Sequence, residues 1–586
     1  MPTLERRVKD QIKRHVPITV WLPNYNRPDL RGDLISGMTV WGLTVPVAMA
    51  FAGLAGLPPE SGLYAAAVSM IAYAIFGTSL HLRVTASSTM SVMSAAVVAP
   101  LAGGNVERYI ALSAALAIVV GVFLLVAGII HLGFISDFLS KSVITGFVFG
   151  LALNIAVGQL PKVFGVPGTS GNFFQQVYGL LGNLSEMNPY TLAVGALALA
   201  IIYLIKRFLP QLPSGLVALG LGIVVSSVFH LSEKGVIVIG SIPTGLPSFG
   251  LPSISLSDLP LLAVGAVGIV FLAVGESIGA ARSFAAKYRY EIDPNQEIIA
   301  YGAANIAAGF FQGFTVDASL SVSATADEGG AKTQLSALVT AAMVLLTLVL
   351  LSPIFRTLPD AVLGCIVIAA VVGLMNVNEL KRYYNSNRSD FVLAVTALFG
   401  VLFTDVLEGL VIAVTLSLVI ILYRASRPYV ARLGQVPGQP DTYTDLARHP
   451  ENQSITGLLI VRLDAPLYFL NANVARGQFM EMINESRTKP KAILIDLGAS
   501  ADLDIASLDM LNSLVIELGE MNIEVYLAQV RGGVRDRLRK AGIIADIGED
   551  HIFRGVGAAV RSFQQRSARG QAPTAAGSAD QGAVQP

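Results

Sequence analysis

Two carboxylic acids interrupt apolar parts of the 586-residue sequence: Glu276, deep in FLAVGESIGAARS, and Asp317, which opens a Ser- and Thr-rich stretch at 317–325. A second stretch of that kind, 84–93, contains Thr85, Ala86, Ser87 and Ser88 and lies about 230 residues earlier. An acid inside a bilayer is expensive to keep and is a functional hypothesis by default. Such an acid can hold a proton or a cation. The hydroxyl-rich stretches suit the opposite charge, because a helix amino end carries free N–H groups and about half a positive charge. Small side chains there let a ligand approach the backbone. Plainer readings exist: Ser and Thr can bond back to their own carbonyls, small residues can serve helix packing, and Asp317 can be an ordinary helix N-cap.

The elements that must position these residues follow from the distribution of charge. Only 14% of residues are charged and 53% are apolar. Of the 80 Asp, Glu, Lys and Arg residues, 10 fall in residues 1–32, 35 in 33–424 and 35 in 425–586. The long middle is thus built for a membrane and the end for water. A soluble enzyme, a secreted disulfide scaffold and a nucleic-acid binder all fit poorly. The net charge of zero removes bulk attraction to nucleic acid. The lone Cys365 has no disulfide partner, and ligands for a Cys/His metal cluster are too few.

At roughly 20 residues per span and about 6 to 8 per connection, 33–424 accommodates about 14 spans. The stretches at 84–93 and 317–325 are too short or too polar to span alone. Interrupted segments at matching places in two halves point to a transport site made from discontinuous helices in an inverted repeat. The predicted body is therefore all-α, a seven-plus-seven inverted repeat with two half-helices. Their amino ends would be Thr85, Ala86, Ser87 and Ser88 on the third span and Asp317, Ala318 and Ser319 on the tenth. With the amino terminus inside, eleven Lys and Arg, among them Arg83, Lys287 and Lys332, fall in inner loops. Only Arg108, Lys162, Lys234 and Arg356 fall outside, which follows the positive-inside rule and puts both termini in the cytoplasm. His81 reads as a loop residue, Asp360, Asp405 and Glu408 as capping or interface acids, and Asp327 and Glu328 as partners of Lys332 or parts of an inner gate.

Residues 1–32 carry charge throughout and have no apolar core before a cleavage site, so a cytoplasmic lead-in is expected. After Arg424 short β-branched runs at 457–473, 492–498 and 523–530 alternate with helical stretches. That alternation predicts a small cytoplasmic α/β domain over 440–566, and 567–586 reads as a disordered tail.

The segment 33–79, with AGLPP, Gly62-Leu63-Tyr64 and a closing GTS, resembles the first spans of the sulfate permease (SulP) family of anion transporters. GAKTQL at Gly330–Leu335 extends the likeness, and APLYFLNA (Ala465–Ala472) with VRDRLRKAGIIADIGEDHIF (Val534–Phe553) resembles a STAS domain. The resemblance implies secondary transport of a small anion (bicarbonate, sulfate or a dicarboxylate) across the cell membrane by a homodimer with an elevator-like movement. It implies Val47 and Phe51 as further substrate contacts and Glu276 as the acid that couples transport to sodium or protons. Asp317 joins Glu276 in the predicted cation or proton site. No cofactor is expected beyond a candidate sodium ion. The partners are the anion, membrane lipid and whatever protein the STAS domain docks. The chain departs from the family pattern at Val47, Ser61 and Leu80, and has Val322 where many members place an arginine, which argues for an anion transporter more firmly than for sulfate. In the STAS-like part, Ala506 stands where signalling relatives carry a phosphorylated serine, with Ser507 one residue later. A passive anion channel, a nucleobase permease and a membrane-anchored signalling scaffold are the rival readings.

Overall fold

The computed structural model describes residues 15–133, 140–169, 171–209, 212–404, 406–486 and 488–568. The basic cluster Arg6, Arg7, Lys9, Lys13 and Arg14, the capping role of Asp405 and the tail beyond 568 lie outside the described residues. Two compact units divide the chain, 1–418 and 419–586.

In the first unit the helices are α1 (Leu30–Leu54), α2 (Pro59–Phe76), α3 (Ser88–Ala102), α4 (Val106–Ile129), α5 (Lys141–Phe164), α6 (Phe173–Asn183), α7 (Pro189–Phe208) and α8 (Ser214–Val228). They continue as α9 (Leu259–Tyr288), α10 (Pro294–Phe310), α11 (Leu320–Glu328), α12 (Leu335–Leu350), α13 (Asp360–Val372), α14 (Val377–Ser386) and α15 (Arg388–Phe403), and α16 (Val406–Ser426) runs across the boundary at 418. Strand β1 (Val84–Thr85) precedes α3 and strand β2 (Asp317–Ala318) precedes α11. Among the described residues six helical stretches are long and apolar enough to cross a membrane, and four shorter apolar helices accompany them.

Local signals explain several boundaries. Asn105 caps α4 by accepting from the Arg108 N–H, and Asp293 caps α10, with Pro294 at the first helical position where no N–H is needed. Helices α1, α2, α4, α9, α10 and α12 pack as one group, α5, α7, α8, α13 and α15 as another, and α1 also touches α8 and α13. Close approach is set by glycine. A Cβ on Gly62 of α2 would sit 2.0 Å from the Ala48 carbonyl oxygen of α1, so no larger residue fits unless the helices separate.

The second unit holds a six-stranded sheet in the order β4-β3-β5-β6-β7-β8, made of Val430–Gln435 (β3), Tyr443–Asp445 (β4), Leu458–Leu463 (β5), Ala492–Asp496 (β6), Glu524–Ala528 (β7) and Ile552–Phe553 (β8). Strands β5 to β8 run parallel, while β3 is antiparallel to both β4 and β5. The sheet thus takes in Val430–Gln435, ahead of the start expected at 440. Helices α17 (Ala472–Asn484), α18 (Ile505–Glu520), α19 (Gly532–Lys540) and α20 (Ile543–Ile547) bury one face with Leu459, Phe479, Ile495 and Leu514. Helix α21 (Val556–Ala568) buries the other with Val560 and Phe563. Burial on both faces is why β5 and β6 read as unbroken apolar runs. Asp504 caps α18: it accepts from the Ser507 N–H at 2.9 Å and the Ser507 hydroxyl at 2.6 Å, and from the Phe469 N–H at 2.7 Å. Ser507 is fully buried in that cap and is not presented for phosphorylation. Burial pushes the Asp504 carboxyl up, but the hydrogen bonds from Ser507 and Phe469 outweigh it and hold the group below its ordinary range.

Gly62→Ala is expected to abolish a monodisperse chromatographic peak of the full chain, whereas Gly182→Ala, with nothing within 4 Å of the added carbon, should leave it intact. Equal behaviour of the two would contradict the helix contact. Asp504→Ala should cost about 1 kcal/mol in urea unfolding at neutral pH. Because the folded carboxyl titrates below the unfolded one, that difference is full at neutral pH and shrinks below about pH 4. A pH-independent difference would contradict the cap.

Candidate functional site

Strands β1 and β2 pair antiparallel, Val84 with Ala318 and Thr85 with Asp317, and each leads directly into a short helix. The Ser319 N–H donates to the Arg83 carbonyl at 2.9 Å, which extends the bridge by one residue. Ser87 is the N-cap of α3 and accepts from the Met90 N–H at 3.2 Å. Ser319 is the N-cap of α11 and faces the Val322 N–H at 3.5 Å. The first-turn N–H groups of both helices have no intrahelical partner, so two partial positive charges meet at one place. Sequence spacing located these two helix ends. It missed one bond: the Ala318 N–H, expected as a donor to a ligand, donates instead to the Ser277 hydroxyl of α9 at 3.1 Å.

Asp317 is 1% exposed and belongs to β2, so the N-cap reading fails: Ser319 holds that position. Both Asp317 oxygens lack a partner at hydrogen-bond geometry, although the Ser87 hydroxyl and the Glu276 carboxyl lie beside them. Glu276, on α9, sits against Asp317 and Thr89. The Thr85 hydroxyl is also buried without a partner. Two carboxylates and nearby hydroxyls form an all-oxygen donor set of the kind hard cations take. Val47 and Phe51 are buried on α1, which packs against α3 and α11; being apolar, they offer walls and no hydrogen bond.

Several residues that hold the bridge were not singled out from sequence. Asn305, fully buried on α10, accepts from the Val316 N–H at 2.9 Å and donates to the Val316 carbonyl at 2.8 Å. Glu297 accepts from the hydroxyls of Tyr73 (2.7 Å) and Tyr301 (2.8 Å) and from the N–H groups of Thr78 (2.7 Å) and Ser79 (3.0 Å). A signal was available: Glu297, Tyr301 and Asn305 stand four residues apart and line one face of α10. Arg83, assigned to an inner loop, is fully buried. Asp327 pairs with Lys287 and Tyr288, not with Lys332. His81 lies in the loop before β1, buried, with its ring stacked 4.0 Å from that of Tyr288. Asp360 starts α13 and pairs with Lys162 at 3.2 Å. Val322 packs among Val40, Met70 and Ala337.

The profile of the sulfate permease family matches residues 30–397, and that of the STAS domain matches residues 449–559. A probable sulfate transporter of Mycobacterium tuberculosis is 34% identical over 550 residues, covering 94% of this chain and 98% of its own. The chain belongs to the sulfate permease family. Another relative, high affinity sulfate transporter 2 of Stylosanthes hamata, is 30% identical, with 94% and 87% coverage. This sulfate permease shares its fold with the murine Solute Carrier 26 family member A9 anion transporter, solved in an inward-facing state (TM-score 0.87, 22% identity, 96% of each chain). It also matches the transmembrane domain of the cyanobacterial bicarbonate transporter BicA (TM-score 0.58, 22% identity, 67% and 98% coverage). The relatives are named as transporters, and the protein is a membrane transporter of the anion-transport class with a STAS domain, not an enzyme.

Asn305→Ala removes both side-chain bonds to Val316 and leaves a buried N–H and C=O unsatisfied. The expected result is a loss of about 1–3 kcal/mol in stability and weaker anion binding. An unchanged melting temperature and unchanged affinity would show that β2 is held without it.

Proposed function

We propose that this sulfate permease carries out secondary active transport of a small anion, held where the amino ends of α3 and α11 converge, with sodium or protons entering at Glu276 and Asp317. Bicarbonate, sulfate and small dicarboxylates are the substrate candidates. The names of the relatives support sulfate, the BicA likeness supports the same fold serving bicarbonate, and Val322 weakens the case for sulfate alone. The observation that carries the reading is the unpartnered Asp317 carboxylate beside Glu276, at the bridge where the two helix ends meet. Two bare carboxylates would repel an anion. A cation or protons bound there remove that repulsion, so anion and cation bind together, which is the requirement for symport.

The order of elements supports two repeats of seven spans. In each half the third helix is short and follows a two-residue strand, and after the fifth comes a short helix, α6 or α14, that mixes polar with apolar residues. The two helix groups give this reading its moving body and its frame, with α1 at the contact between them. A homodimer with both termini in the cytoplasm completes the proposal.

Purified protein in liposomes is to be tested with labelled bicarbonate, sulfate and fumarate under separate sodium and proton gradients. Concentrative uptake of at least one anion under one gradient is expected. Glu276→Gln should remove the dependence on that gradient while leaving a folded, monodisperse protein. No uptake under either gradient would overturn the proposal, and unchanged cation dependence in Glu276→Gln would overturn the role of that acid.

A further inference from the structure

Arg83 is the largest fully buried side chain among the described residues. Among the described residues its guanidinium contacts no carboxylate. It donates to the carbonyls of Leu82 (3.0 Å), Leu80 (3.4 Å) and Thr333 (3.4 Å) and to the Ser336 hydroxyl, and its Nε has no partner. The charged groups around it are accounted for. Asp33 lies across Thr333 and is taken up by the Lys332 N–H (2.7 Å), the Thr333 N–H (3.1 Å), the Thr333 hydroxyl (2.7 Å) and Tyr25 (3.1 Å). Tyr73 and Tyr290 are bound to Glu297 and Ser79. A buried cation without a counter-ion is a large penalty unless an anion joins it.

The backbone of Arg83 is built into the start of α11. Its N–H donates to the Ser323 hydroxyl at 2.8 Å and its carbonyl accepts from the Ser319 N–H at 2.9 Å. The residue that carries the charge is therefore built into the bridge, with its guanidinium held among Leu80, Leu82, Thr333 and Ser336, while Glu276 and Asp317 lie together at the β1–β2 pair. Val322, on α11, is packed in an apolar cluster and carries no charge.

We propose that Arg83 is the fixed positive charge of the anion site, a positioning residue that acts through the field at the amino end of α11 without touching the anion. It sets the preference for divalent over monovalent anions. This rests on the transport reading above. It differs from a purely structural role as a clamp on Thr333 and Ser336, because a field acts twice as strongly on a charge of two as on a charge of one.

The test uses the full chain in liposomes and in detergent, with sulfate and bicarbonate as probes. Uptake gives KM and maximal rate, and the anion-induced rise in melting temperature gives binding without transport. Arg83→Gln should raise the half-saturating concentration of bicarbonate by a few-fold and that of sulfate by about the square of that factor, with a smaller change in maximal rate. Arg83→Lys, which keeps the charge and loses the fork of hydrogen bonds, should stay within about threefold of wild type for both anions. Arg83→Met, which fills the buried space without a charge, should repeat the Arg83→Gln result and keeps the test open if Arg83→Gln does not fold. Equal effects on the two anions, or an Arg83→Lys as damaged as Arg83→Gln and Arg83→Met, would overturn the inference while leaving transport standing. A wild type that neither carries nor is stabilised by either anion would overturn the transport reading and this inference with it.

Discussion

Backbone that leaves a helix inside an apolar medium must find a partner for every N–H and C=O, and the first unit is organised around that constraint. Two helices are interrupted at 84–87 and at 317–319, and each break satisfies the other through the pairs Val84–Ala318 and Thr85–Asp317. What the bridge cannot supply comes from side chains on neighbouring helices: Ser69 donates to the Val84 carbonyl at 2.9 Å, Ser277 takes the Ala318 N–H, and Asn305 takes both backbone groups of Val316. Each of these residues is small or amide-bearing and buried on its helix.

The same constraint creates the chemistry. Once the breaks are paired and Ser87 and Ser319 have capped Met90 and Val322, the groups left over at the bridge are the N–H groups of the first two residues of α3 and α11, the Thr85 hydroxyl and the Asp317 carboxylate. Donors and acids thus sit side by side at the paired breaks. Family resemblance and geometry meet here: the sulfate permease motifs around Gly62, GTS and GAKTQL are not the site itself. They hold it. Gly62 lets α1 and α2 touch, and Glu297 ties down Thr78 and Ser79. Gln334 donates to the carbonyls of Ser79 and Leu82, just ahead of β1.

The second unit follows ordinary soluble rules, with a sheet buried on both faces and helices capped by side chains such as Asp504. Its strands were legible because β-branched runs bounded by Gly and Asp have a short period. The strand at 430–435 was not, since it follows in sequence directly after the apolar stretch and its pairing with β5 is decided across about 30 residues.

Composition and spacing alone determined the division into an apolar body and a charged appendix, the α/β alternation of the latter, the two Ser- and Thr-rich breaks and the deep acid Glu276. These are properties of short windows, where burial imposes its preference residue by residue. Tertiary structure decided which atoms meet. Asp317 reads locally as a cap and becomes an unpartnered carboxylate because Ser319 takes the cap; Arg83 reads as a loop cation and becomes a buried one because Thr333 and Ser336, some 250 residues on, close over it. A hydrogen bond depends on both its ends, and here the second end lies in the other half of the chain.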